Sequence, residues 1–183
     1  MKLSEVDKTK LAPMMAHYVE SKEKNMDTII LYRLGDFYEM FFEDAEVVSH
    51  ELELTLTGRN AGLDERVPMC GVPYHAAQIY IDKLIKNGHK VAICEQLEDP
   101  KSTKGMVKRD ITEVISSGSV ITANSLNEKE NNYIGSLYNN GYCHILTYSD
   151  ITTGEIYGEL LENDINNIIN KIIYLGIKEL IVE

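Results

Sequence analysis

Between Gly35 and Ala45 the chain reads GDFYEMFFEDA. The whole sequence holds three phenylalanines, and all of them, Phe37, Phe41 and Phe42, fall here among the carboxylates Asp36, Glu39, Glu43 and Asp44. Two kinds of chemistry could use this set. Gathered carboxylates hold Mg²⁺ through oxygen ligands, as a nuclease requires, with Asp36, Glu39 and the distant Asp150 as ligands. Alternatively, a ring stands outward beside a carboxylate and forms a contact surface. Acidic residues at a helix start also have a plainer reason, since they complement its N-terminal dipole. If Asp36 to Met40 runs extended, side chains alternate: Phe37 and Glu39 share one face, and Asp36, Tyr38 and Met40 the other. With Tyr38 and Met40 inward, Phe37 and Glu39 project together. Phe41 and Phe42 are expected to enter the following helix and the core. Taken alone, these residues favour a core place for Phe37 as well, with Glu39 solvated.

Other reactive constellations are weaker. KSTKG lacks the leading glycine and spacing of a phosphate-binding loop, so the chain is not expected to be an enzyme that hydrolyses nucleotide. No Ser-His-Asp or Cys-His pattern stands out. Asp150 follows a strand, as the first carboxylate of an RNase H-like nuclease would, but a turn Asp before Thr-Thr-Gly explains it more simply. Cys70, Cys94 and Cys143 are far apart, and the five histidines are scattered. Buried thiols in a reducing cytoplasm, and no metal site, are the expectation. The formal net charge of −11 argues against nucleic acid when taken alone. It is uneven, however: KSTKGMVKR carries Lys101, Lys104, Lys108 and Arg109 without an acid, and TGRNAG carries Arg59. No apolar run approaches a membrane span, and MKLSEVDKTK lacks the apolar block of a signal peptide.

The elements that must position these residues alternate. Leu11 to Lys24 has helical periodicity, with Pro13 in the first turn. TIILYRL reads as a buried strand and is followed by Gly35. A helix is expected over Glu43–Glu53, a short strand in ELTLTGRNAG, and another in VPMCGVP. An amphipathic helix over Tyr74–Asn87 ends at Gly88. HKVAICEQL and RDITEVIS read as strands. This is an α/β layer fold, a mixed sheet flanked by helices. Residues 116–132 are rich in Ser, Asn and Gly and read as a linker. Beyond them come three antiparallel strands, an isoleucine-striped helix capped by Asn163 and closed by Gly176, and a last strand. The abrupt end after that strand suggests a second domain cut short.

GDFYEMFFEDA, VPMCGVPYHAAQIYIDKLIKNGHKVAICEQLEDP and KGMVKRDITEVI closely resemble the N-terminal part of the MutS family of bacterial DNA mismatch-repair proteins. The resemblance runs from about Leu11 to Gly118 and continues more weakly to Glu183. It implies a mismatch-recognition domain over 1–118, a linker over 119–132, and over 133–183 the truncated start of a connector domain with an RNase H-like α/β fold. The family's Phe-x-Glu motif falls on Phe37, Tyr38 and Glu39. There the Phe enters the minor groove and stacks on a mispaired base, and the Glu hydrogen-bonds that base, which reverses the placement of Phe37 favoured above. Arg59, Lys104, Lys108 and Arg109 are implied near the DNA backbone. Two positions depart from the family: Ala12 replaces a helix-capping Ser or Thr, and Ser116–Ser119 replace a Thr-Pro-Gly-Thr. The family's ATPase, with its ATP and Mg²⁺, and its dimer contacts lie in parts absent here. No cofactor is therefore expected in this chain, which should be monomeric and bind duplex weakly by itself. The resemblance further implies mismatched DNA and MutL as partners, a homodimer for the whole protein, and a cytoplasmic, nucleoid-associated location.

Overall fold

The computed structural model describes residues 1–98, 105–119 and 131–182. Lys101, Lys104 and nearly all of the expected linker lie outside the described residues. The chain forms two compact units, Met1–Ile115 and Ser116–Glu183. Among the described residues no helix is long and apolar enough to cross a membrane.

The first unit opens with α1 (Pro13–Lys24), then β1 (Thr28–Leu34), β2 (Phe37–Phe41), α2 (Phe42–Glu51), β3 (Thr57–Arg59), β4 (Val67–Pro73), α3 (Ala77–Lys86), β5 (Lys90–Gln96) and β6 (Arg109–Ile115). Its six strands form one mixed sheet in the order β3-β4-β2-β1-β5-β6. β1 turns back on β2 through Gly35, at φ +59°, and runs parallel to β5 after a crossover through both later helices. Thr28 to Tyr32 are all buried, as a central strand covered on both faces should be. Ile30, Tyr32, Phe41, Val67, Ala92 and Cys94 meet Met15, Tyr18 and Val19 of α1 on one face. On the other, Met40, Cys70 and Val72 are buried with Ala45 and Val48 of α2 and Ile81 and Leu84 of α3. Ala12 has no capping side chain, and its backbone N–H donates instead to the Ala61 carbonyl at 2.7 Å.

Phe41 closes β2 rather than entering the helix, and Phe42 opens α2 in the left-handed region, at φ +53°. A side chain with a Cβ resists that conformation. The turn is held because both rings are sealed in the core, Phe41 edge-on to Tyr18 at 4.9 Å and Phe42 stacked on it at 6.2 Å.

Cys70 and Cys94 are buried on opposite faces of this sheet. Burial pushes both thiols up to about 12, Asp44 adding to the rise at Cys70. A thiolate is the reactive form. In the native chain at pH 8 only Cys143 should therefore react with an iodoacetamide probe, and the other two should label only on unfolding. Mass mapping of native labelled protein checks this, and rapid labelling of Cys70 or Cys94 would contradict it.

The second unit contains β7 (Tyr133–Asn139), β8 (His144–Asp150), β9 (Glu155–Leu161), α4 (Ile165–Leu175) and β10 (Glu179–Val182). The sheet order is β10-β7-β8-β9; β7 to β9 are antiparallel, and β10 joins parallel to β7. This β-β-β-α-β order suits the beginning of an RNase H-like sheet. Tyr133, Leu137, Leu146, Tyr148 and Ile168 form its core. The cap of α4 is Asp164, not Asn163. Its carboxylate accepts from the N–H groups of Asn166 at 2.9 Å and Asn167 at 3.4 Å. Asn163 lies a residue too early, inside the turn closed by Asp164 N–H to Glu162 O at 2.8 Å. Ser116 bonds Glu179, Ser117 donates to the Lys178 carbonyl at 3.1 Å, and Gly118 accepts from Asn132 at 3.3 Å. These residues therefore pack with the second unit, although the expected boundary lay after Gly118.

Candidate nucleic-acid interface

The alternation expected along β2 is present: Tyr38 and Met40 are buried, while Phe37 is 46% exposed and Glu39 half-buried on the opposite face. The composition-based preference for a buried Phe37 fails because the strand begins at that residue. Its ring lies at the sheet end, outside the cluster in which Tyr32 and Phe41 meet α1. Phe41 and Phe42 hold the strand-to-helix turn, and Phe37 alone of the three projects.

Several side chains fix the turn that carries it. Arg33 Nε donates to the Gly35 carbonyl at 2.5 Å, and its guanidinium lies 3.7 Å over the Tyr74 ring. Tyr74 N–H closes on the Asp36 carbonyl at 2.9 Å. Behind β2, the Tyr38 hydroxyl donates to Glu95, whose carboxylate also lies 3.6 Å from Arg33. Burial first, and the Glu95 carboxylate second, push the Tyr38 phenol up to about 12, so it stays protonated and remains a donor.

On the exposed face Glu39 is paired with Arg59, whose Nη1 donates to the carboxylate. Arg59 reaches across β4 from the edge strand β3, and its guanidinium lies 6.0 Å from the Phe41 ring centre. Between them Gly71 faces Glu39 in the β2–β4 register. A Cβ at Gly71 would stand 3.4 Å from Glu39 Cγ and 3.2 Å from the Tyr38 carbonyl. The absence of a side chain there leaves the carboxylate room.

The basic residues divide. Lys108 is exposed at the end of the sheet that also carries Phe37: its carbonyl accepts from Leu97 at 2.9 Å, just beyond β5. Lys104 lies outside the described residues. Arg109 does not fit its expected place against the DNA backbone. It is 8% exposed, donates from Nε to the Arg33 carbonyl at 2.9 Å and from Nη1 to the Val107 carbonyl at 2.8 Å, and lies 5.3 Å from the Tyr32 ring centre. A guanidinium so enclosed offers phosphate no open edge; it ties β6 to β1.

Arg33, Gly71 and Tyr74 were not singled out from the sequence. The signals were present: a lone charge inside the apolar run TIILYRL, and a glycine within a strand, which marks close approach. Asp150, the third carboxylate of the nuclease reading, holds its own turn. Asp150 accepts from the Thr152 hydroxyl at 2.6 Å and the Asn132 N–H at 2.9 Å, and these bonds hold its carboxyl below the usual range. Among the described residues no three His, Cys, Asp or Glu are grouped to hold a metal ion.

The family model described as MutS domain I matches residues 12–124, which sets the first unit in that class of α/β domain. Proteins named DNA mismatch repair protein MutS are similar over most of the chain. That of Listeria welshimeri is 53% identical over 175 residues, covering 95% of this chain and 20% of the relative. That of Caldanaerobacter subterraneus is 54% identical over 160 residues, 85% of this chain and 18% of the relative. That of Lachnoclostridium phytofermentans is 56% identical over 155 residues, 84% of this chain and 16% of the relative. The chain belongs to the MutS family. It spans about a fifth or less of the length of these relatives.

Proposed function

We propose that this chain recognises mispaired and unpaired bases in duplex DNA as part of mismatch repair. Phe37 wedges in from the minor groove and Glu39 bonds the displaced base. The observation that carries this reading is the 46% exposed Phe37 ring, on the same strand face as Glu39, at an end of the sheet. Separating a base step costs a few kcal/mol and less where pairing is already poor. Stacking on an aromatic ring returns about 1–3 kcal/mol for any base. One ring thereby serves many mismatches, and selectivity follows how easily the duplex deforms. Glu39 adds to it, because a stacked, correctly paired base offers no donor to the carboxylate, whereas a displaced one does.

The first unit, Met1–Ile115, is the recognition domain in this reading, and 133–183 belong to a connector domain. Lys108 and Lys104 steer the backbone. Nucleotide hydrolysis, dimer formation and the meeting with MutL belong to the remainder of a longer protein. With a net charge of −11, the chain alone grips duplex weakly at physiological salt.

The test exchanges the N-terminal fifth of the Listeria welshimeri relative for this chain and compares binding to a mismatched and a fully paired duplex. Phe37→Ala should cut the preference by about 5- to 150-fold, the equivalent of the lost stacking. An undiminished preference would overturn the wedge and leave a docking role for the exposed ring.

A further inference from the structure

We propose that Arg59 is a latch on Glu39, closed in the free chain and over paired DNA, and opened by a mispaired base. The freed guanidinium then takes a backbone phosphate. The inference rests on the reading that Glu39 meets the base. That carboxylate is not a bare charge in the free chain: Arg59 Nη1 already donates to it. A correctly paired duplex therefore meets a neutral pair, and neither partner has reason to leave the other.

The pair is built to open. The Arg59 and Glu39 side chains are 36% and 17% exposed, and such partly exposed pairs shift an equilibrium by only about two- to fivefold. A charge-assisted bond from a displaced base to Glu39, together with the phosphate that Arg59 then gains, offsets that. Gly71 leaves space beside Glu39 Cγ for the carboxylate to turn. Arg59 ends a three-residue strand at the sheet edge, from which its side chain can swing outward. Arg109 is the contrast, with its guanidinium enclosed against Tyr32 and two backbone carbonyls. Opening exchanges one ion pair for two contacts, Glu39 to base and Arg59 to phosphate, and only a base out of its pair triggers the exchange. The cation thus rewards the mismatch although phosphate itself carries no sequence information.

Salt dependence reads the latch directly, since each phosphate neutralised adds about 0.9 to the slope of log K against log salt. In the exchanged protein, Arg59→Gln should lower the slope for mismatched duplex by about 0.9 and leave the paired-duplex slope unchanged. Glu39→Gln, which unlatches Arg59 permanently, should raise the paired-duplex slope by the same amount. An equal fall on both duplexes with Arg59→Gln would mean a phosphate contact made at all times, and no fall on either a purely structural arginine. Either result overturns the latch. The reading beneath it is scored apart, by the affinity ratio with Phe37→Ala, so the two failures are told from each other.

Discussion

Asp44→Ala should destabilise the first unit by about 3–5 kcal/mol, the cost of stranding a buried charge. Asp44 is 7% exposed, and its carboxylate serves three partners on two elements. It pairs with Lys22 of α1 at 2.8 Å, accepts from the Ile30 N–H of β1 at 3.1 Å, and accepts from the Tyr18 hydroxyl at 3.1 Å. That hydroxyl also reaches the Phe41 carbonyl at 3.3 Å. Alanine leaves Lys22, among the described residues, with only the Thr28 carbonyl, at 2.5 Å, and leaves the Ile30 N–H without this acceptor. Each is a buried polar group without its full complement of bonds. Cys70 and Cys94 both lie in this unit, so thiol labelling against urea follows it without interference from the second. Lys22→Met combined with Asp44→Asn should recover most of the loss, because the amide still accepts from Ile30 and Tyr18 and no charge is stranded. A loss below about 1 kcal/mol for Asp44→Ala would show that the pair carries little net stability.

The same network explains why every phenylalanine sits in one acidic segment. Two rings hold a strand that bends sharply into a helix through a left-handed Phe42, Asp44 anchors the first turn of that helix, and the first ring is left at the strand's open end. Loosening the anchor should loosen the wedge. Alternation along β2 was legible, since a period of two follows from strand geometry alone. The helices, most strands and the second hairpin series were legible for similar local reasons. What periodicity cannot carry is pairing between distant segments. Arg59 and Glu39 stand twenty positions apart and meet only because β4 lies between their strands. Arg109 sits in a basic run that looks solvated, yet its side chain turns inward to carbonyls contributed by β1 and its own loop. Whether Phe37 was covered depended on what packs around the start of β2, which is a matter of packing and not of composition.

Gly62→Ala should cost about 3 kcal/mol, the sum of a left-handed alanine and an overpacked contact. Gly62 has φ +91°, and a Cβ there would stand 2.2 Å from the Lys10 carbonyl oxygen and 3.0 Å from the Ala12 nitrogen. Backbone atoms cannot rotate away as a side chain would, so either the loop after β3 or the approach to α1 must move. Both carry weight: Ala61 is buried and its carbonyl accepts the Ala12 N–H that begins α1, while β3 just before it presents Arg59. Gly88 supplies the control. Its φ is also +91°, and nothing lies within 4 Å of a Cβ built there. Gly88→Ala should therefore lose only the conformational part, about 1–2 kcal/mol. The difference between the two variants in urea midpoint, read again by Cys70 and Cys94 labelling, isolates the contact with residues 10–12. Equal losses would mean that the loop and the start of α1 part freely, and that Arg59 is presented by a segment able to shift without cost.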